Sequence, residues 1–251
     1  LIGSREVPES ALYGVQTLRG IENFRISKFH LNEYPLFIQA LAITKMGAAV
    51  ANRELDLLTE EQTDAILKAC KEILEGKHHD QFPVDMIQGG AGTTTNMNAN
   101  EVIANRALEL MGHARGEYQY CSPNDHVNRS QSTNDAYPTA IHIGLYYTHL
   151  KLVKHFATLI EAFRKKGAEF AHIIKMGRTQ LEDAVPMTLG QTFNGFASIL
   201  EHELKNLDFA AQDFLTVNMG ATAIGTGITA EPEYAETVSY THLTLPTKLE
   251  V

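Results

Sequence analysis

The sequence has no tryptophan, eight prolines and only two cysteines in 251 residues. Cys70 and Cys121 are too few for a disulfide framework and do not have metal-ligand spacing, so they favour a reducing, cytoplasmic setting. Long apolar runs are missing as well, because the best candidate, residues 36–51, is interrupted by Gln39 and Lys45. A span of the bilayer needs roughly 20 apolar residues, and the first residues lack the charged-then-apolar order of a signal peptide. We therefore expect no membrane segment.

Positive charge is also scarce, with 21 lysines and arginines against 30 acidic residues and a net charge of −9. This balance argues against a broad nucleic-acid or anionic-membrane surface, but it is compatible with a small local anion site. Hydrophobic residues make up 44% of the chain, enough for a sizeable core in one large domain or two smaller ones. Alternating strand patterns are scarce, so the sequence predicts an all-α fold.

Apolar residues at helical spacing fill most of the chain. Thr59 to Gln62 has the form of a capping box, and Gly76 is placed to end the helix that the box opens. Pro138 falls near the start of the longest helical pattern, where its missing N–H costs little. The last two helices carry long apolar stripes that need bundle partners in this chain or in other subunits. The predicted helices cover residues 36–53, about 60–75, about 98–111, 139–166 and 191–215.

The densest polar block of the chain spans residues 124–138 and precedes that longest helix. Side-chain oxygens of Asn, Ser and Thr cap helix starts, and a helix start with free hydroxyls is a natural anion site. A capped helix needs two or three such residues, so the larger number in this block indicates a ligand. The nine amide, hydroxyl and carboxylate residues are Asn124, Asp125, Asn128, Ser130, Gln131, Ser132, Thr133, Asn134 and Asp135.

A second unusual block, residues 88–100, combines three glycines with three threonines and three asparagines. Its glycines permit left-handed backbone and close approach, and a helix is expected to begin near Asn98. Taken alone, the block can be explained as a glycine-rich loop with a helix cap. A phosphate loop is a poor alternative, because the block lacks the lysine of that motif. Together with the first block, it predicts two helix starts that converge on one small anionic molecule.

A third polar cluster lies between the two longest helices, at residues 176–191. Arg178 could clamp a carboxylate, or it could pair with Glu182 or Asp183. The residues alone leave both alternatives open. Further on, residues 218–229 are rich in glycine and threonine and predict a turn-forming loop.

Together these blocks resemble the fumarase/aspartase superfamily, and within it the aspartase family. The resemblance covers residues 1 to about 236. The matching strings are REVPESALYGVQTLRGIENF, QFPVDMIQGGAGTTTNMNANEV, NDHVNRSQSTNDAYPT, GRTQLEDAVPMTLGQ and NMGATAIGTGI. The resemblance implies a mainly helical fold with three parts: an N-terminal lyase domain (1–129), a truncated central helical bundle (130–238) and a tail outside the family pattern (239–251).

The resemblance implies elimination of ammonia from L-aspartate to give fumarate, through Cβ proton abstraction and an aci-carboxylate intermediate. It also implies a homotetramer with no required cofactor and no dedicated metal ligands, although activation by a divalent metal is compatible with it. A class II fumarase or another superfamily lyase is the alternative enzyme, and a non-catalytic helical scaffold is the alternative of another class.

The resemblance assigns roles to individual residues. Ser132 and Thr133 would donate hydrogen bonds to the developing dianion. Asn124 and Asp125 match a secondary carboxylate site, and Arg19 is a possible carboxylate contact. Gln180 would replace a histidine of relatives, and the remaining substrate-binding residues would position the amino group and the other carboxylate. The substrate-binding residues implied are Thr93, Ser132, Thr133, Asn134, Thr179 and Gln180.

One family element has no counterpart in these 251 residues. Family members carry a GSSxMPxKxNP loop with the serine base, and no such string occurs here. The chain is therefore expected to be a fragment that holds the binding half of a site, has no catalytic base and is inactive by itself.

Overall fold

The computed structural model describes residues 5–88 and 90–242, and this part of the chain is mainly α-helical, as predicted. The predicted non-family tail lies outside the described residues from residue 243 onward. Short 3₁₀ turns cover Leu31–Glu33, His79–Gln81 and Gln212–Leu215, and a π-turn covers Pro123–Val127. The main elements are α1 (Val15–Asn23), α2 (Pro35–Glu54), α3 (Glu60–Leu74), α4 (Thr93–Leu110), α5 (Thr133–Glu169), β1 (Ile174–Thr179), β2 (Glu182–Thr188), α6 (Leu189–Ala211) and α7 (Tyr234–His242).

Helices α2 and α3 begin and end where local sequence chemistry places them. Pro35 is the first residue of α2, where the absent N–H has no intrahelical partner to lose. Thr59 and Gln62 form the predicted capping box of α3, each side chain accepting the other residue's backbone N–H. Gly76 follows the end of α3 with a left-handed φ of +85°, which glycine adopts without steric cost.

The chain divides into two compact units. Unit 1 comprises the described residues up to Gly144 and from Thr216 onward, and unit 2 comprises Leu145–Leu215. The core of unit 1 lies between α2, α3 and α4, where Ile38, Ile66 and Leu108 are each 0% exposed. The two units do not test the family-domain boundary expected after residue 129, which stays a prediction.

Unit 2 contains a β-hairpin that the sequence analysis did not predict. Strands β1 and β2 are antiparallel, and the pairing of Thr179 with Glu182 leaves only Gln180 and Leu181 in the loop. Both loop residues have positive φ angles, 46° and 68°, a conformation usually taken by Asn-Gly in such turns. The mainly helical prediction holds, but this hairpin was missed because its turn lacks the glycine or asparagine that marks a hairpin in sequence.

The helices of unit 2 leave many large apolar side chains in solvent. Phe163 packs edge-on against Phe196 at a centroid distance of 5.7 Å, but Phe196 itself remains 47% exposed. Other exposed apolar residues lie along α5 and α6; they include Leu145, Leu152, Leu159, Ile199 and Phe209. Within the described residues, no helix has the length and apolar content needed to cross a bilayer.

Candidate functional site

The starts of α4 and α5 lie next to each other in unit 1. Helix α4 begins at Thr93, five residues before the predicted Asn98. The earlier start follows from Gly92, which has a left-handed φ of +87°, and from Gln88, whose side chain accepts the Thr95 N–H at 2.9 Å. Gly92 makes no side-chain cap, so the Gln88 side chain satisfies one of the backbone N–H groups that have no partner within the first turn of a helix.

Close packing fixes the distance between the two helix starts. Gly92 lies against the Tyr137 ring of α5, and a Cβ at this position would overlap that ring. The Asn96 Nδ2 donates to Thr133 Oγ1 at 3.1 Å, which joins the first turn of α4 to the first residue of α5. The predicted convergence of two helix starts is therefore present, with the Thr133 hydroxyl hydrogen left for another acceptor.

We call residues 128–133, which end at the first residue of α5, the serine–threonine loop. Ser132 caps α5 in two ways: its Oγ accepts the Asn134 N–H at 3.2 Å, and its own N–H donates to Asp135 Oδ1 at 2.9 Å. Since the hydroxyl accepts the capping bond, its hydrogen remains a donor. The Ser132 backbone N–H, in contrast, is already used by Asp135.

Helix α5 contains Pro138 as its sixth residue, in the second turn and deeper than predicted. Proline has no N–H, so the Asn134 carbonyl oxygen loses the donor that a helix would normally supply from residue 138. Asn218 replaces it, donating from Nδ2 to Asn134 O at 3.1 Å. The Asn134 side chain in turn donates to Ala223 O at 2.8 Å. The predicted turn-forming loop at 218–229 thus contacts the start of α5.

A fully buried lysine lies beneath the serine–threonine loop. Lys45 is 0% exposed, and its amine donates to Asn128 Oδ1 and Gln131 Oε1, both at 2.9 Å. Burial lowers the pKa of Lys45 from 10.5 to about 7, while Asp135 and, to a smaller extent, Cys70 act in the opposite direction.

The other unit 1 residues named by the resemblance surround this centre less tightly. Asn124 and Asp125 are exposed in the π-turn, with both backbone N–H groups donated to Ser122 Oγ. Arg19 is partly buried on α1, which packs against α4. Glu101 of α4 holds the start of α1 by accepting the backbone N–H groups of Gly14, Gln16 and Thr17 at 2.9–3.0 Å. That carboxylate positions the helix on which Arg19 lies.

Thr179 and Gln180 belong to unit 2 and are described there by themselves. Thr179 ends β1 and Gln180 occupies the hairpin turn, both exposed. Of the two alternatives for Arg178, pairing is present: its Nε lies 2.9 Å from Asp183 Oδ1. The ion pair is exposed at both ends, so it contributes little to stability.

The sequence analysis did not identify Lys45 and Asn52 as residues that hold the serine–threonine loop, and it did not predict that Asp135 would be a buried acceptor. Ser130 has a left-handed φ of 59°, and its Oγ donates to Asn52 Oδ1 at 2.7 Å. Lys45 and Asn52 are polar, buried and seven residues apart in a largely apolar helix, so they share one face. That pattern was available in the sequence and could have indicated a buried polar cluster. Among the described residues, no three His, Cys, Asp or Glu side chains come together as a possible metal site.

A family model described as Lyase matches residues 3–248, and the chain belongs to this lyase family. It is similar to aspartate ammonia-lyases: the one from Pseudomonas fluorescens is 58% identical over 235 residues, 93% of this chain and 49% of the relative. The one from Escherichia coli K12 is 55% identical over 236 residues, 94% of this chain and 49% of the relative. The chain thus spans about half the length of the curated relatives it matches.

Solved structures agree on the fold. A cobalt-bound crystal structure of fumarate lyase:delta crystallin from Brucella melitensis is 51% identical, with a TM-score of 0.89 over 94% of this chain and 52% of that chain. A class II fumarase from Schistosoma mansoni is 36% identical, with a TM-score of 0.86 over 96% of this chain and 50% of that chain. The predicted superfamily and helical fold are confirmed.

Proposed function

We propose that the full-length protein containing this chain eliminates ammonia from L-aspartate to give fumarate. The observation that carries the proposal is the 55–58% identity to aspartate ammonia-lyases across nearly all of the chain, against 36% for the class II fumarase. The paired starts of α4 and α5 support it, because they bring hydroxyl donors to one place at the positive ends of two helices.

In the proposed reaction, a base removes a proton from Cβ of L-aspartate and negative charge accumulates on the β-carboxylate. The Cα–N bond then breaks, a C=C bond forms and ammonia leaves. Ser132 and Thr133 donate their hydroxyl hydrogens to the β-carboxylate, since their acceptor positions are used by Asn134 N–H and Asn96 Nδ2. Preorganised donors of this kind stabilise the developing charge. The base comes from outside these 251 residues.

The remaining assignments are proposals of the same kind. Thr93, Asn134 and Thr179 position the amino group and the other carboxylate, with Gln180 nearby in the assembled site. Asn124 and Asp125 form a secondary carboxylate site, and Arg19 adds a carboxylate contact. We propose a cytoplasmic homotetramer without a required cofactor, in which other subunits cover the exposed apolar side chains of unit 2; activation by a divalent metal is compatible with it.

A chimera tests the proposal. Residues 1–236 of this chain are joined to the carboxyl-terminal half of the Pseudomonas fluorescens relative, and fumarate formation is followed from L-aspartate and from L-malate. We expect turnover of L-aspartate, with Ser132→Ala and Thr133→Ala each lowering kcat on the order of 10²–10³-fold, more than they raise KM. Ser10→Ala, at an exposed position outside the site, serves as the control.

Other outcomes would identify a different function. A folded chimera that uses L-malate and not L-aspartate would favour a fumarase. A folded tetramer with no turnover of either substrate would favour a structural role. If kcat were unchanged in both hydroxyl variants, the assignment of Ser132 and Thr133 would be wrong even with the reaction correct.

A further inference from the structure

Two ionisable residues of unit 1 are fully buried on either side of the serine–threonine loop. Lys45 of α2 and Asp135 of α5 are each 0% exposed. Lys45 contacts the early part of the loop through the side chains of Asn128 and Gln131, both at 2.9 Å. Asp135 contacts the later part through the Ser132 N–H at 2.9 Å. The loop is therefore held from both ends by groups that solvent does not reach.

Asp135 also binds a second segment of the chain. Its Oδ2 accepts the backbone N–H groups of Gly220 at 3.2 Å and Thr222 at 2.9 Å. Thr222 itself has a left-handed φ of 56°. One carboxylate thus fixes the position of Ser132 relative to the 218–229 loop, with one oxygen on each side. A neutral carboxamide has a single acceptor oxygen and cannot satisfy both sides.

Stability alone does not account for this arrangement. Burying a lysine and a carboxylate costs free energy, and apolar residues of similar volume frequently stabilise a fold as well or better. The bonds do, however, select one conformation of the loop. They also consume the Ser132 N–H, which leaves the Ser132 hydroxyl as that residue's remaining donor toward a substrate.

We propose that Lys45 and Asp135 are positioning residues that set the placement of the Ser132 and Thr133 hydroxyls for catalysis. The catalytic half of this inference rests on the proposed function, because it concerns donors to the β-carboxylate. The structural half concerns only the conformation of the loop. Neither residue contacts the substrate; each acts through its hydrogen bonds to the loop.

Amide hydrogen exchange tests the structural half on the 251-residue chain itself. In the unsubstituted chain, the amides of Ser132, Gly220 and Thr222 should exchange slowly. Asp135→Asn should accelerate exchange by about tenfold or more, either at Ser132 or at Gly220 and Thr222. The carboxamide has one acceptor oxygen, so one of these two sets of hydrogen bonds to a charged acceptor is lost. Asp85→Asn is the matched control, since Asp85 accepts three backbone N–H groups from Ile26, Ser27 and Ile87, away from the serine–threonine loop.

Lys45→Met provides a second variant that keeps the unbranched side chain but cannot donate. It should accelerate exchange within residues 128–132 and leave the amides of Ile26 and Ser27 unchanged. An unprotected Ser132 amide in the unsubstituted chain would overturn the inference, and this measurement needs no variant to fold. Equal acceleration throughout unit 1 in Asp135→Asn and Lys45→Met would overturn it as well, because it would indicate general destabilisation.

Kinetics of the chimera test the catalytic half. Asp135→Asn and Lys45→Met should each lower kcat of the folded enzyme by about tenfold or more and change KM by less than about threefold, since a misplaced donor weakens transition-state stabilisation. Asp85→Asn should leave kcat within about threefold. A lower yield of folded protein with unchanged kcat would overturn the positioning role. If the unsubstituted chimera lacked activity, the proposed function would fail, while the exchange data would still decide the structural half.

Discussion

The serine–threonine loop and the hairpin turn present similar polar side chains but differ in what holds them. Ser132 donates its N–H to Asp135 and Thr133 accepts a hydrogen bond from Asn96, and both partners are buried in unit 1. Gln180 lies in a two-residue turn whose other member, Leu181, is 91% exposed. The loop is thus specified within its own unit, whereas the turn keeps an unfavourable backbone conformation without packing around it. Backbone strain of this kind is found most often at functional sites.

The largest expected effect comes from breaking the packing between the two helix starts. Gly92→Ala should lower the free energy of unfolding of the chain by about 3 kcal/mol, because a left-handed residue gains a Cβ and that Cβ overlaps Tyr137. Gly76→Ala has nearly the same φ and open space around it, so it should cost only about 1 kcal/mol. Denaturant titration measures both values. Equal losses of unfolding free energy in the two variants would contradict the close packing of α4 on α5. Amide exchange in the hairpin of unit 2 should not change in either variant.

A medium effect concerns the buried lysine. The pKa of Lys45 is about 7 in the folded chain and 10.5 in the unfolded chain, so between these values the unfolded state binds more protons. The free energy of unfolding should therefore rise with pH, by on the order of 1 kcal/mol from about pH 7 to about pH 8.5. Lys45→Met should lack this increment in denaturant titrations at matched pH.

The upper limit of that pH range is set by a neighbouring thiol. Burial raises the pKa of Cys70 well above its ordinary value, so above about pH 9 the unfolded chain loses this thiol proton first, which offsets the rise from Lys45. Cys121 acts in the same direction, because burial raises its pKa to about 12, and the two thiols together make stability fall. A pH dependence identical in Lys45→Met and the unsubstituted chain would show that the lysine keeps an ordinary pKa.

The smallest effect concerns the hairpin. Replacing Gln180 and Leu181 together by Asn and Gly should stabilise the hairpin by less than about 1 kcal/mol, since these residues adopt positive φ readily. Slower amide exchange along β1 and β2 would report it. Leu181→Ser is the control, because it removes the exposed apolar side chain but keeps a residue with a Cβ at positive φ. Faster exchange in the Asn-Gly variant would contradict the assigned turn.

The sequence predicted those elements whose determinants are local. Apolar spacing located α2 within one residue at each end, and the capping box at Thr59 and the stop at Gly76 were both correct. The convergence of two polar helix starts was also predictable, because both starts carry an excess of hydroxyl and amide groups. Such features depend on residues a few positions apart.

Features that depend on distant partners were not predictable in the same way. The start of α4 was placed five residues late, because Gln88 and the packing of Gly92 on Tyr137 override the low helix propensity of the threonines. The role of Asp135 depends on Gly220 and Thr222, which lie 85 and 87 residues away. The hairpin was missed because its turn residues, Gln180 and Leu181, are not the Gly, Asn or Asp residues that usually mark a two-residue turn.

The contact between Glu101 and α1 bears on the order of folding. Helix α1 has nine residues, and its preceding residue, Gly14, provides no side-chain cap. Helices shorter than roughly 12 residues are marginal alone, and the carboxylate that satisfies this one lies 84–87 residues later in the chain. Closing so long a loop costs entropy before any contact rewards it. We therefore expect α1 to leave the ribosome before α4 yet become ordered late, only after α4 has formed.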